Sequence, residues 1–218
     1  MASTTTLQRA RLFRSTSFSR NMHRKHELME NTIFVFTSDH GEMLGDHNFI
    51  QKARPYQGSI HIPMLISGSE RLIGAQNRVD TSLVELRDIM PTCLDFADAK
   101  SPETLDGTSM RNGVQREYIH GEHLCEFDHK SHQFIVTKTD KYIWFSQTGD
   151  EQYFNLVLDP NETHNAINDA QAAERIACLR AILVRELDGC EEGYSDGKKL
   201  IVGCTPRAVL ANATLKNI

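Results

Sequence analysis

A chain of 218 residues that is 39% hydrophobic and 24% charged can bury a core and fits one domain with a small subdomain. No apolar run approaches the roughly 20 residues of a membrane-spanning helix and the N-terminus lacks a secretory-type apolar segment, so no membrane role is expected and the cytoplasm is the default location. The formal charge of -5 hides an asymmetry, since residues 1–26 carry six Lys or Arg and no acid, leaving 18 bases against 29 acids, a balance that argues against a nucleic-acid partner.

In chain order, residues 1–26 read as a disordered basic leader, rich in Ser, Thr and Arg, with an organelle transit peptide as the other reading of that composition. The texture changes near Asn31. "TIFVFT" (32–37) and "HIPMLIS" (61–67) are short runs of β-branched and aromatic residues, as in strands buried on both faces. Between them lie Asp39-His40-Gly41, Asp46-His47 and Lys52. "DIMPTCLDFA" (88–97) predicts a helix with Asp88 as N-cap, Pro91 in its first turn and an apolar face of Met90, Cys93, Leu94 and Ala97.

Beyond "LDGTSM" (105–110) the pattern becomes antiparallel. "REYIH" (116–120), "QFIVTKTDKYIWF" (133–145) and "QYFNLVLDPNE" (152–162) predict three or four strands, with a hairpin turn at Lys138–Asp140, a stop at Asp159-Pro160-Asn161 and Trp144 in the core. A helix is expected over 170–187, burying Ile176, Leu179, Leu183 and Leu187, with Gly189 as its stop. This divides the chain into the leader, an α/β part over 27–110, an antiparallel subdomain with a packed helix over 111–190, and a tail over 191–218. Five cysteines, Cys93, Cys125, Cys178, Cys190 and Cys204, form no CxxC pair and suit reduced thiols.

Chemistry concentrates after "TIFVFT". Ligands collect at the carboxyl ends of strands in open α/β sheets, and a carboxylate beside an imidazole reaches one divalent cation where a glycine turns the chain. A lysine thirteen residues beyond Asp39 then holds an anion next to that cation, the combination a sulfate or phosphate ester requires. His47 either lines the substrate mouth or is a loop histidine bonded to backbone. His61 reads as structural, and His120, Glu122 and His123 read as a solvated rim rather than a second metal site.

"NTIFVFTSDHGEMLGDH", a following Lys, "YQGSIHIPMLISG", "LVELRDIMPTCLDFA", "LDGTSM", "REYIHGEH" and "YFNLVLDPNETHNAI" resemble, in order, the second half of the sulfatase family within the alkaline phosphatase superfamily. The resemblance implies a partial sulfatase-like α/β core, with Asp39 and His40 as two ligands of a divalent metal, calcium first and magnesium or manganese as alternatives. It implies Lys52 as the contact to sulfate oxygens and a sulfate ester as substrate. The family's formylglycine, made from Cys or Ser in C-x-P-S-R or S-x-P-x-R, has no match here. "CTPR" (204–207) places Arg one position too early. The expectation is therefore a sulfuric ester hydrolase-like chain without the nucleophile half, inactive in isolation, with a sheet edge open to oligomerisation. A phosphodiesterase or phosphonate monoester hydrolase relative and a non-catalytic fragment are the alternatives.

Overall fold

The computed structural model describes residues 28–74, 77–124 and 131–204. The expected disordered leader and the last half of the tail, 205–218, lie outside them. Two compact units emerge. Among described residues, one contains 28–52 and 61–115 and the other 53–60 and 116–204, so an eight-residue stretch of the second interrupts the first.

The first unit carries β1 (Phe34–Thr37) and β2 (Met64–Ser67), paired antiparallel from Phe34 opposite Ser67 to Thr37 opposite Met64. Both expected strands form, but neither is buried on both faces. Every residue of β1 is half-buried and Leu65 of β2 is exposed, because this sheet has two strands among the described residues.

The short helix α2 (Glu70–Ile73) follows β2, and α3 spans Ile89–Phe96. The predicted apolar face of α3 is corrected. Met90, Cys93 and Ala97 are exposed, whereas Pro91 and Thr92 are buried. Hydrogen bonds decide this inversion. Thr92 donates its hydroxyl to Asp88 O at 2.5 Å and accepts Met110 N at 2.9 Å, drawing the polar side inward beneath the "LDGTSM" strap. Asp88 is no side-chain cap of α3. Its fully buried carboxylate accepts the amides of Glu85 and Thr108, tying the preceding 3-10 turn to the strap. Gly107 is required there, because a Cβ would lie 2.0 Å from Arg87 O.

The second unit is a four-stranded antiparallel meander, β3 (Ile119–His123), β4 (His132–Val136), β5 (Asp140–Phe145) and β6 (Glu151–Asn155), in sequential order. Alternation along the strands separates its two faces. Ile135, Tyr142, Trp144 and Tyr153 pack with Ile176, Leu179, Leu183 and Leu187 of and just beyond α4 (Ala173–Glu186), as the helical spacing predicts. Tyr194, from the stretch read as a patternless tail, completes this core edge-on to Trp144 at 5.8 Å. Two arginines rivet α4 to the sheet. Arg175 grips Asp140 at 2.8 and 2.9 Å, and Arg180 grips Glu151 at 2.7 Å through both nitrogens.

Residues 53–60, ending in the one-turn helix α1 (Gln57–Ile60), run by the opposite face of the sheet. Tyr56 meets Phe154 edge-on at 6.1 Å and donates to Gln152 Oε1 at 3.0 Å. Lys141 faces this stretch rather than solvent and is wholly buried with Glu162.

Candidate functional site

The first unit builds its polar site at the end of β1. Past Thr37 the chain leaves the sheet, and Ser38 turns it by donating its hydroxyl to His40 O at 2.6 Å. Asp39 Oδ1 accepts the His40 amide at 3.0 Å. The His40 ring is oriented by Nδ1, which lies 2.6 Å from Gly41 O. A carbonyl only accepts, so Nδ1 carries the proton and Nε2 presents its lone pair. That lone pair receives the Lys52 ammonium at 2.9 Å, and Asp39 Oδ2 lies 3.4 Å from the same nitrogen. Asp39 and Lys52 are exposed and His40 is half-buried.

The loop between them returns the lysine. Met43, fully buried, anchors its base, and its amide donates to Gln51 O at 2.8 Å. One step inward Gly45 N donates to Phe49 O at 2.8 Å, with Gly45 at φ 100°. Leu44, His47, Asn48, Gln51 and Ala53 all have positive φ between 49° and 69°. Each such non-glycine conformation is strained and persists where its surroundings over-determine it. Asp39 is held ionised more strongly than an ordinary aspartate. Desolvation opposes this, but the electrostatic influence of the neighbouring His40 side chain, the hydrogen bond from the His40 amide and the Lys52 ammonium outweigh it.

The structure thus brings together Asp39, His40 and Lys52. His47 occupies the 3-10 turn Asp46–Asn48 of the connecting loop, half-buried at φ 51°. Sequence reasoning missed Met43 and Ser38. A lone Met gives no signal, whereas the Gly45 and Asn48 pair flags the tight loop. His61 is exposed and precedes β2, which starts only at Met64. In the second unit His120 bonds Gln133 Oε1 at 2.8 Å, and Gln133 donates to Glu122 at 3.3 Å. No group of three or more His, Cys, Asp or Glu suited to a metal occurs among the described residues. Of "CTPR" only Cys204 is described, and its thiol donates to Gly193 O at 3.4 Å.

The sulfatase family pattern matches residues 21–99, which contain this whole site. An arylsulfatase of Clostridium perfringens is 50% identical over 182 residues, covering 80% of this chain and 37% of that protein. The chain belongs to the sulfatase family. A further relative, arylsulfatase K of Canis lupus familiaris, is 35% identical over 158 residues, covering 65% of this chain and 29% of that protein. Among solved structures, this sulfatase-family chain is similar to a protein captured with its substrate D-glucosamine-2-N,6-O-disulfate, at TM-score 0.65 and 26% identity, over 77% of this chain and 36% of that one. It is also similar to the phosphonate monoester hydrolase of Agrobacterium radiobacter, at TM-score 0.63 and 25% identity, over 75% and 36%. The chain spans about a third of the length of these relatives. The matches agree with a partial alkaline phosphatase-like α/β core carrying an antiparallel subdomain. No helix among the described residues is long and apolar enough to cross a membrane.

Proposed function

We propose that this chain contributes the anion- and metal-binding side of a sulfuric ester hydrolase site, with Lys52 contacting sulfate oxygens and Asp39 and His40 holding a divalent cation. The observation that carries the reading is the convergence of the Lys52 ammonium, the His40 lone pair and the Asp39 carboxylate. The donor set suits a cation. The Asp39 Oδ2 and His40 Nε2 that would hold it lie 3.4 Å apart, close enough to share one divalent ion. Such a cation would neutralise charge on non-bridging oxygens during ester cleavage.

The side chains suggest an exchange of partners. The Lys52 ammonium leaves His40 Nε2 and donates to a sulfate oxygen, which frees the imidazole lone pair, while the Nδ1 bond to Gly41 O keeps the ring in place. Lys52 thus supplies charge and orientation to the ester. Calorimetric titration of the chain with sodium sulfate in the presence of calcium tests this. Sulfate binding is expected in the wild type and at least about tenfold weaker in Lys52→Ala, since a hydrogen bond to a charged group contributes about 1.5–3 kcal/mol. Equal affinity in the two would end the reading.

A phosphonate monoester is the second substrate class, favoured by the likeness to the Agrobacterium radiobacter hydrolase. Tighter competition by methylphosphonate than by sulfate in the same titration would move the assignment to it.

A further inference from the structure

We propose that Lys141 and Glu162 are positioning residues for Lys52, acting through the chain segment that follows it. The inference rests on the reading of Lys52 as the anion-binding residue. Lys141 and Glu162 are fully buried, and the Lys141 ammonium lies 2.5 Å from Glu162 Oε1. Its remaining bonds end on Pro55 O at 2.7 Å and Gln57 Oε1 at 3.3 Å. Glu162 Oε2 accepts the Gln57 amide at 2.6 Å. Both members of the pair therefore grip residues 55–57, which begin three positions after Lys52.

Two arguments make this a positioning device rather than a source of stability. A buried ion pair gains little over apolar side chains of similar volume, because desolvation cancels most of the attraction, so what it adds here is a defined geometry for its partners. The backbone around Lys52 also needs anchoring. Gln51 at φ 67° and Ala53 at φ 69° flank it in the left-handed region, a conformation non-glycine residues keep only under external constraint. The Met43 amide on Gln51 O supplies that constraint on one side. On the other side Pro55 O and the Gln57 amide are both held by the buried pair. Glu162 itself sits at φ 55°, so the clamp is also held in a set conformation.

The test uses the full chain with the Lys141→Met/Glu162→Leu double variant, whose apolar pair keeps the interior filled. A second variant, Gln57→Pro, removes the Gln57 donor and acceptor at the first position of α1, where proline is tolerated. The readouts are amide exchange and the ring nitrogen shifts of His40. In both variants the Gln57 or neighbouring amides, including Tyr56, are expected to exchange at least about tenfold faster, with β5 amides unchanged. The His40 Nε2 shift is expected to move toward that of Lys52→Ala. A wild-type Nε2 shift in a variant whose segment has been released, or an undiminished protection of the segment, would overturn the proposal. Because the readout is the Lys52–His40 contact, failure of sulfate to bind would remove the anion assignment and leave this result standing.

Discussion

The Lys52 ammonium donates to His40 Nε2 across 2.9 Å, although twelve residues separate them in the chain. The nitrogen that a cation would need is thus occupied by the group that would otherwise bind sulfate. Sulfate and calcium are therefore expected to bind with positive coupling, each tightening the other. Removing Lys52 should improve calcium affinity alone by roughly tenfold, the Coulomb gain from deleting one charge about 5 Å from a divalent ion in water, and abolish the coupling. Calorimetric titrations with each ion alone and together measure both. Unchanged calcium affinity in Lys52→Ala would show that the ammonium does not compete.

Asp39→Ala and His40→Ala should each weaken calcium binding by at least about tenfold, since even residues supporting a ligand matter by that much. The absolute affinity should be low. Calcium takes about six to eight oxygen ligands, and no third acid, His or Cys joins these two among the described residues. Tight calcium binding would point to ligands other than these.

Turnover of an aryl sulfate by the purified chain is not expected, even after coexpression with a formylglycine-generating enzyme. Covalent cleavage requires a nucleophile in line with the leaving group, and Cys204 is engaged with Gly193 O in a sequence that departs from the family's motif. Mass spectrometry should find Cys204 unmodified. Turnover lost on Lys52→Ala would reveal a nucleophile supplied in another way.

Acid should weaken the second unit through Asp140 and Glu151. Burial pushes both carboxyls up, but the guanidinium of Arg175 with the Thr137 hydroxyl, and that of Arg180 with the Tyr142 hydroxyl, outweigh it and hold both below their ordinary values. A carboxyl whose folded pKa is depressed stabilises the fold fully above its unfolded value, about 4 here, and loses that contribution as pH falls toward the folded value. Urea midpoints measured between pH 2 and 5 should therefore decline with acid in the wild type and less steeply in Asp140→Asn. Parallel curves would show that the Arg175 pair carries no linkage.

Gly107→Ala should cost about 3 kcal/mol, the upper end of the range for forcing bulk into a packed site, because the new methyl must displace backbone 2.0 Å away. Chemical denaturation monitored on the first unit would read this. An unchanged midpoint would mean that the strap shifts at no cost.

The legible parts of the fold were those with a strong local period. The buried stripe of α4 and the alternating aromatics of β5 follow from sequence spacing, since each packs on elements close in the chain. α3 misled because its apolar residues are spaced like a core face, yet Thr92 turns inward to bond Asp88 and Met110 across eighteen residues or fewer. Hydrogen-bonded burial of a threonine leaves no hydrophobic signature. The same holds for Lys141, which reads as a solvent-side charge in an alternating strand until the distant Glu162 and Pro55 are placed around it. At the candidate site, Asp39, His40 and Lys52 were visible as residue types, but the loop ladder from Met43 to Gln51 that joins them depends on backbone conformations that Gly45 and Asn48 announce and Leu44, Gln51 and Ala53 do not.

The interruption of the first unit by residues 53–60 also limits how a gene of this kind can be rearranged. A recombination break after codon 115 would transmit the meander and α4 without the stretch carrying Pro55 and Gln57, leaving an ammonium and a carboxylate at the bottom of an uncovered sheet face. The reciprocal product would keep Tyr56 without its platform of Phe154 and Gln152. Neither half is a portable module, so lineages should exchange the two together or not at all.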